Sequence, residues 1–439
     1  MTGAPRKTSL LLVFTIVCID LLGFGLVLPL LPIYGQKLTA GMSPGQAGAV
    51  LGLLMSSFSL MQFLFAPLWG RLSDRVGRRP VLLLSLAGST CFYFWFGLAS
   101  LQHSLLWMFV SRIGAGIAAA TIPTAQAYIA DSTSREHRTR GMALIGAAFG
   151  LGFTLGPLIG AAALYLSRDA GMSPWPGYGA AILSGSALVF AIFKLPESLR
   201  ADRVPEARRH FDLAALRDIL AIPSIGLLLV TGFVSVFSLA NFESTLSFTI
   251  RSELLLPSKD QPEWVVQSRL MLVFAYIGIV QCLVQGVLVR RLATRISEAR
   301  LATIGCLLSV AGFVMLAFLR GGTQGGVGLL MLATAVEVGG IAFVFPAIQS
   351  LISRRSDPAK QGGILGAGES VSSIARIVGF GLGIPLYLRN PILPFWTAAA
   401  LMSLVLFLVL TAVRLGRDWD DQEETVGQVA LEQGIEERG

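Results

Sequence analysis

The chain has 439 residues, of which 54% are hydrophobic and only 14% are charged, and its mean hydropathy is +0.70. This leaves too little polar surface for a soluble protein of that size, so we expect the lipid bilayer to be its solvent. A net charge of +8 would suggest a nucleic-acid partner in a soluble protein, but here the basic residues lie between apolar segments. We therefore expect a membrane protein and no nucleic-acid partner.

Twelve apolar segments are long enough to cross a bilayer, which needs about 20 helical residues. They lie near residues 10–34, 46–69, 80–101, 105–130, 141–166, 177–195, 221–250, 266–289, 299–319, 326–352, 362–388 and 392–413. The first is expected to be a retained span rather than a signal peptide, because it continues past Asp20 to Pro32 without a cleavage pattern. The sequence predicts an all-α membrane protein with twelve transmembrane helices in two pseudo-symmetric six-helix bundles.

Lysine and arginine residues are distributed unequally between alternate loops. The loops on the side of both termini carry 24 of them, and the opposite loops carry 7. Because positively charged loops stay in the cytoplasm, both termini are predicted to be cytoplasmic.

A polar stretch at 196–220 is the longest interruption on the cytoplasmic side and divides the spans into two sets of six. It predicts bundles at 1–195 and 221–415, joined by a cytoplasmic linker, with an acidic cytoplasmic tail at 416–439. The segment from Gly286 to Arg291 weakly repeats the segment from Gly70 to Arg75, with Arg290 in place of Asp74. Two related halves around a central site are typical of transporters.

Four motifs carry a family resemblance. The run GRLSDRVGRR, from Gly70 to Arg79, resembles the signature loop of the major facilitator superfamily. Three other stretches, from Asp20 to Pro32, Arg112 to Gly116 and Gly152 to Gly160, resemble motifs of its drug/proton antiporter branch. The whole is most similar to the tetracycline-resistance-type subgroup. The resemblance implies a proton-coupled exporter of small amphipathic organic compounds in a bacterial inner membrane, expected to be a monomer without a cofactor.

The signature loop is expected to act as a cytoplasmic latch. Glycines permit a tight turn, and Asp74 can lie near the positive N-terminal end of another helix. The resemblance further implies that Arg78 bridges Asp74 to Asp131, at the end of the fourth span. The alternative is that the basic residues only anchor the topology. The predicted latch comprises Gly70, Asp74, Arg75, Gly77, Arg78 and Asp131.

The fifth span carries the predicted antiporter motif. Gly152, Gly156 and Gly160 recur every four residues, so they share one helix face and let a second backbone approach closely. Pro157 removes a backbone donor and is expected to bend the helix. Ordinary helix packing remains the alternative, since this glycine spacing is common in membrane spans.

Ionisable residues within the spans are the candidates for proton coupling, because they are costly in hydrocarbon and face the interior or water. Burial favours the neutral form of a carboxyl group and a nearby arginine favours the charged form, so a conformational change can load and unload a proton. Asp20 and Arg112 come to similar depths, which makes a pair feasible. The candidates, Asp20 first, are Asp20, Arg112, Glu337, Glu369, Glu243 and Arg376.

A substrate cavity would combine aromatic surface with uncharged hydrogen-bonding groups. The predicted lining, much of which could equally be helix packing, is Phe58, Met61, Gln62, Phe65, Gln126, Tyr128, Asn241, Phe242, Phe345 and Gln349.

Other function classes lack their motifs. The metalloprotease, nucleophile-elbow and P-loop patterns are absent from the sequence, which disfavours an enzyme or an ATP-driven pump. The four cysteines and three histidines show no metal-site spacing. A channel would more typically show rings from repeated subunits. A proton-coupled symporter for uptake of a nutrient or lipid-like metabolite is the runner-up, and the substrate stays open.

Overall fold

The computed structural model describes residues 7–119, 121–133, 135–168, 171–199, 217, 222–255, 261–319, 326–356 and 361–415. Within these ranges the regular structure is entirely helical. The predicted tail, and most of the predicted linker, lie outside the described residues.

The first half of the described chain contains eight helices and a short 3-10 turn. They are α1 (Lys7–Val27), the 3-10 turn (Leu28–Leu30), α2 (Leu31–Leu38), α3 (Pro44–Val76), α4 (Arg78–Leu101), α5 (Leu105–Ala118), α6 (Thr121–Ser132), α7 (Arg135–Ser167) and α8 (Trp175–Lys194). The second half contains α9 (Pro223–Leu255), α10 (Glu263–Leu283), a π-helical turn (Val284–Val289), α11 (Arg290–Leu292), α12 (Glu298–Ala317), α13 (Gly326–Arg355), α14 (Gln361–Arg389) and α15 (Leu393–Leu415).

Among the described residues, eleven helical segments are long and apolar enough to cross a membrane, and α5 with α6 supplies a twelfth span. The predicted fold class, a twelve-span all-α membrane protein, is thereby confirmed. We call the end of the molecule where α1 begins and α15 ends the termini face, and the opposite end the far face.

The fourth span differs from the continuous helix expected at 105–130. Helix α5 ends at Ala118 and α6 begins at Thr121, so the span is built from two helices. The Ser85 hydroxyl of α4 donates to the carbonyl oxygen of Ala118 at 2.5 Å and lies 2.7 Å from the hydroxyl of Thr121. A neighbouring helix therefore satisfies a backbone group at the interruption, as an interrupted membrane helix requires.

The signature segment is less of a loop than the sequence suggested. Helix α3 continues through Gly70 to Val76, and α4 begins at Arg78. Only Gly77, with a φ of 106°, makes the turn, and this left-handed conformation is one that L side chains rarely adopt. The repeat in the second half is also helical, since Gly286 lies in the π-helical turn that leads directly into α11, but the turn that follows, at 293–297, contains no residue with a positive φ.

The glycines of the fifth span, α7, permit close helix contacts. A Cβ atom at Gly152 would lie 2.7 Å from the Cβ of Leu21, and one at Gly156 would lie 2.8 Å from the carbonyl oxygen of Leu22. A Cβ at Gly160 would instead strike the side chain of Met271 in α10. The glycines of the motif thus allow α7 to pack closely against two helices, α1 in its own bundle and α10 in the other bundle.

The two bundles meet in the far half of the molecule. At Gly52 an added Cβ would lie 3.1 Å from the carbonyl oxygen of Gly381, so α3 and α14 approach closely there. One helical turn further toward the termini face, the Ser56 hydroxyl donates to the carbonyl oxygen of Ile377 at 2.9 Å. The bundles are therefore joined by backbone contacts near the far face.

Candidate functional site

Asp20 lies where four helices of the first bundle meet. Its half-buried carboxyl group, on α1, accepts a hydrogen bond from the Ser184 hydroxyl of α8 at 3.3 Å. The hydroxyls of Ser89 on α4 and Thr121 on α6 lie beside the same carboxyl. Thr121 is the first residue after the interruption of the fourth span. The first bundle therefore has a polar core at this interruption, with Asp20 as its acid.

Arg112 is close to this core but does not pair directly with Asp20. Its side chain is 3% exposed, and its guanidinium carbon lies 4.7 Å from the centre of the Phe58 ring. Among the ion pairs of the described residues there is none between Asp20 and Arg112, and the Arg112 Nε has no hydrogen-bond partner there. Tyr93, which is 5% exposed, lies within electrostatic range of both residues. The direct pair that the sequence made feasible is therefore absent from the structure, and Tyr93 is near both charges.

Three other predicted ionisable residues meet in the second bundle. Glu337 on α13 is 0% exposed, and neither of its carboxyl oxygens has a hydrogen-bond partner within the described chain. Glu243 on α9 lies within electrostatic range of Glu337 and also of Arg376 on α14. A Cβ at Gly312 would lie 2.6 Å from the Cβ of Glu337, so α12 packs tightly against this position. Glu337 is thus sealed inside its bundle.

Glu369 lies apart from that cluster. Its exposed side chain lines a cavity between α9, α13 and α14, which also includes Phe345 and Gln349. The structure therefore brings two predicted cavity residues to a predicted proton-coupling residue. None of the other predicted ionisable residues lines this cavity.

The remaining predicted cavity residues are dispersed. Tyr128 is 1% exposed and donates to the carbonyl oxygen of Pro196 at 3.0 Å. Phe242 packs edge-to-face on Phe313 with ring centres 5.4 Å apart, and Asn241 is 0% exposed and donates to the carbonyl oxygen of Pro394 at 2.7 Å. These three therefore lie in the packed interior rather than at a cavity wall. Gln126 is exposed and the other four are half-buried: Phe58, Met61, Gln62 and Phe65.

Arg78 joins both acids of the predicted latch at the termini face. Its Nη1 lies 2.6 Å from the Asp74 carboxylate, and its Nε lies 3.0 Å from that of Asp131. Nη1 also donates to the Ser73 hydroxyl at 2.6 Å. The Arg78 side chain is only 6% exposed, whereas Arg75 is exposed. Arg78 therefore ties α3 and α4 to the end of α6.

The sequence prediction missed Glu197, which follows α8. Its carboxylate accepts hydrogen bonds from the backbone amides of Arg78 at 2.9 Å and Arg79 at 3.1 Å. These amides form the N-terminal end of α4, where an acidic group is favourable. A side chain at Gly77 would strike this carboxylate. The 119-residue separation of Glu197 from Arg78 left no local sequence signal.

The prediction also missed a charged network between the bundles at the far face. The Glu263 carboxylate, at the start of α10, lies 3.3 Å from the Nζ of Lys37 on α2 and pairs with Arg251 on α9. Arg251 donates to the side-chain oxygen of Gln36 at 3.3 Å. Charged residues are common at the ends of membrane spans, so their positions in the sequence did not indicate an interaction. The fold shows that these residues form ion pairs and hydrogen bonds with one another.

The twelve-span fold, with ionisable residues buried in both bundles, defines a membrane transporter. A family model described as Major Facilitator Superfamily matches residues 13–380, so the chain belongs to the major facilitator superfamily. It is accordingly a multi-pass transporter of small molecules and not an enzyme.

Its relatives include bacterial and animal proteins. Tetracycline resistance protein, class C, of Escherichia coli is 31% identical over 414 residues, which cover 93% of this chain and 97% of that protein. Major facilitator superfamily domain-containing protein 10 of Homo sapiens is 31% identical over 419 residues, which cover 85% of this chain and 86% of that protein. The resemblance to tetracycline-resistance-type proteins is therefore confirmed.

Solved structures show the same fold. The crystal structure of the human organic anion transporter MFSD10 (TETRAN) matches with a TM-score of 0.64 at 28% identity, covering 93% of this chain and 100% of that one. The crystal structure of the nucleoside transporter NupG matches with a TM-score of 0.67 at 15% identity, covering 92% of this chain and 98% of that one.

Proposed function

We propose that the protein exports small amphipathic organic compounds in exchange for protons, by alternating access between its two bundles. The observation that carries this proposal is the setting of Asp20, a half-buried acid beside the interrupted fourth span with hydroxyl groups from three other helices. Interrupted membrane helices commonly form the substrate and ion sites of transporters. The export direction is supported by the relatives named as tetracycline resistance proteins.

The hydroxyl groups suit a site that gains and loses a proton. A hydroxyl donates a hydrogen bond to a carboxylate, and it can rotate to accept one from a protonated carboxyl. Asp20 can therefore keep hydrogen bonds to Ser89, Thr121 and Ser184 both as a carboxylate and as a protonated carboxyl group. Arg112, through Tyr93, would link the charge at Asp20 to the aromatic surface at Phe58. Glu243, Glu337 and Arg376 form a second ionisable cluster, whose role in coupling is secondary in this proposal.

The latch would govern the termini face during transport. Arg78 pairs there with Asp74 and Asp131, so a separation of α3 and α4 from α6 must break the buried ion pair of Arg78 and Asp131. The far face has contacts that join the two bundles, including the pair of Lys37 and Glu263. In the proposed alternating access, the contacts at one face break while those at the other face form. The predicted bundle limits, the cytoplasmic termini and the bacterial inner membrane belong to the same proposal.

Everted membrane vesicles test the exchange. Vesicles are acidified inside, and a panel of drugs that includes tetracycline and chloramphenicol is added outside, while a fluorescent dye reports the pH gradient. Wild-type protein should release protons from the vesicles when a transported drug is added. Asp20→Asn should abolish this release, Asp20→Glu should retain part of it, and Glu253→Gln, a neutralised acid near the far end of α9, should leave it intact.

Equal insertion of each variant in the membrane is checked on immunoblots. Full proton release by Asp20→Asn would exclude Asp20 as the carrier. Drug accumulation together with proton movement in the same direction would replace antiport with the symport alternative.

A further inference from the structure

The polar core around Asp20 contains more oxygen atoms than one proton requires. The two carboxyl oxygens of Asp20 on α1 lie beside the hydroxyls of Ser184 on α8, Ser89 on α4 and Thr121 on α6. Five side-chain oxygens from four helices are thus gathered at one place, and only one of the four side chains carries a charge. Hard cations bind to oxygen sets of this kind. The donor set is therefore compatible with a hard metal ion.

The spacing of these oxygens also suits an ion. The Ser184 hydroxyl lies 3.3 Å from a carboxyl oxygen of Asp20, whereas O–H···O hydrogen bonds are most often about 2.7–2.8 Å long. Na⁺ is close to Ca²⁺ in size, and Ca²⁺ takes oxygen ligands at about 2.3–2.6 Å. Two ligands at right angles around such an ion lie about 3.3–3.7 Å apart. The observed separation therefore matches two oxygens that share a cation of this size.

The interrupted fourth span adds a feature that is common at ion sites. Helix α5 ends at Ala118 and α6 begins at Thr121, and Ala119 between them has non-helical backbone angles, with φ −71° and ψ 55°. A continuous helix would supply the carbonyl oxygen of Ala119 with a donor four residues later, but residue 123 is a proline and has no N–H. In transporters, the ends of broken helices and their unwound carbonyls coordinate Na⁺ or protons. The core thus includes backbone of the type that binds ions.

Asp20 has no cationic partner among the described residues. The ion pairs there do not include it. The two other ionisable groups close by are Tyr93 and Arg112, and the Arg112 guanidinium lies over the Phe58 ring. A carboxylate withdrawn from water without a counter-charge is costly, so binding of a proton or a metal ion is favourable. One carboxylate balances one positive charge, and the described chain has no group of three or more His, Cys, Asp or Glu side chains for a multivalent metal. The charge therefore favours a monovalent ion.

We propose that the polar core around Asp20 is a Na⁺ site, at which Na⁺ and the proton compete for the same carboxyl group. Asp20 binds the ion through its carboxylate, and Ser89, Thr121 and Ser184 bind it through their hydroxyl oxygens. A helical serine such as Ser89 or Ser184 can donate its hydrogen to the carbonyl oxygen four residues earlier, which leaves its lone pairs for the ion. One bound Na⁺ displaces one proton from the protonated carboxyl group into water. The inference rests on the proposed function and adds Na⁺ as a second coupling ion.

Proton release on addition of NaCl tests the site. Purified protein in lipid nanodiscs and weakly buffered, Na⁺-free medium receives NaCl, KCl or choline chloride at equal concentration over a series of pH values, while a pH-sensitive dye reports free protons. Wild-type protein should release protons with NaCl, fewer with KCl, whose larger cation needs wider oxygen spacing, and none with choline chloride. Asp20→Asn should release none. Ser184→Ala should need about tenfold more Na⁺.

A matched serine on α4 controls for the loss of a hydroxyl. Ser100 is 0% exposed, and its hydroxyl donates to the carbonyl oxygen of Phe96 at 2.9 Å. Ser100→Ala should therefore respond to NaCl as the wild-type protein does. Binding of radioactive Na⁺ at high pH, where no proton competes, should give the same order of affinities. This second measurement separates a lost Na⁺ ligand from a changed proton affinity of Asp20.

Three results would overturn the proposal: no Na⁺-specific proton release by wild-type protein, equal release by Asp20→Asn, or an equal response to KCl. The choline medium keeps this outcome separate from the proposed function. Drug-induced proton release in choline chloride, without a response to Na⁺, would retain proton antiport and reject the Na⁺ site. A Na⁺ response that depends on Asp20, without any drug-induced proton release, would retain the Na⁺ site and reject proton antiport.

Discussion

The two bundles bury their acids in different ways. Asp20 in the first bundle is half-buried, lies at an interrupted span and has hydroxyl groups around it. Glu337 in the second bundle is 0% exposed and lies within the continuous helix α13, and its carboxyl oxygens have no hydrogen-bond partner among the described residues. The hydroxyl groups around Asp20 can adapt to two protonation states, whereas no hydroxyl among the described residues is hydrogen-bonded to the Glu337 carboxyl group. Depth in the membrane alone therefore does not identify a proton carrier.

The same asymmetry holds at the signature segment. In the first half Arg78 pairs with two acids at a turn that Gly77 allows. In the second half the corresponding segment is likewise helical, but the turn after it has no residue with a positive φ, and Arg290, which stands in place of Asp74, is exposed. Pseudo-symmetry of the fold is thus not symmetry of the ionic interactions. Substitutions in each half can therefore separate their roles.

The largest effect is expected where α1 and α7 touch. Gly156→Val places side-chain atoms against the backbone of α1, since even a Cβ would lie 2.8 Å from the Leu22 carbonyl oxygen. We expect a loss of about 3 kcal/mol or more and little folded transporter. Thermal unfolding in detergent and vesicle transport measure the two outcomes. Gly146→Val in the same helix is the control, because a Cβ there meets no atom within 4 Å; equal losses in both variants would contradict the packing account.

An intermediate effect is expected at the latch. Arg78→Ala leaves the largely buried Asp131 without this cation, and removal of one partner of a buried pair costs about 3 to 5 kcal/mol in the state that contains it. We expect drug transport to fall about tenfold, because the state in which the latch is closed becomes less stable. The measurement is the initial rate of drug efflux at equal protein levels.

Arg290→Ala removes an exposed arginine from the repeated segment of the second half, at the position of Asp74, and should alter this rate less than about twofold, since exposed charges contribute little. Arg78→Lys keeps the charge but not the fork of the guanidinium, and should recover only part of the rate. If Arg78→Ala and Arg290→Ala behave alike, the latch is not the asymmetric device described here.

Much of the fold was accessible from the sequence because the bilayer imposes strict rules. Apolar length identified the spans, and the spacing of Gly152 and Gly156 identified a close helix contact. The interruption after Ala118 was not predicted, because the hydroxyl that stabilises it, on Ser85, comes from another span. Glu197 was missed for the same reason. Local sequence patterns predict helices. The end of a helix, and the acidic residue that binds its N-terminal amides, depend on contacts between spans that are distant in sequence.

The candidate site was less accessible than the fold. The depth of each acid along its span can be predicted from the sequence, but the direction of its side chain cannot. Asp20 and Arg112 matched in depth, yet Tyr93 lies within electrostatic range of both and no direct pair forms. Aromatic and amide residues were expected at the cavity, but Tyr128 and Phe242 are packed inside their bundles. The polarity of a residue does not indicate whether it lies on a helix face that is covered by a neighbouring helix or on a face that lines a cavity.

In the proposed mechanism Asp20, rather than Glu337, exchanges the transported proton. Purified protein in weakly buffered detergent, mixed with a drug that the vesicle assay has identified as a substrate, permits a direct measurement with a pH-sensitive dye. Wild-type protein and Glu337→Gln should both release protons on drug binding, and Asp20→Asn should release none although it still binds the drug. Proton release by Asp20→Asn together with its absence in Glu337→Gln would contradict the account and assign the proton to the second bundle.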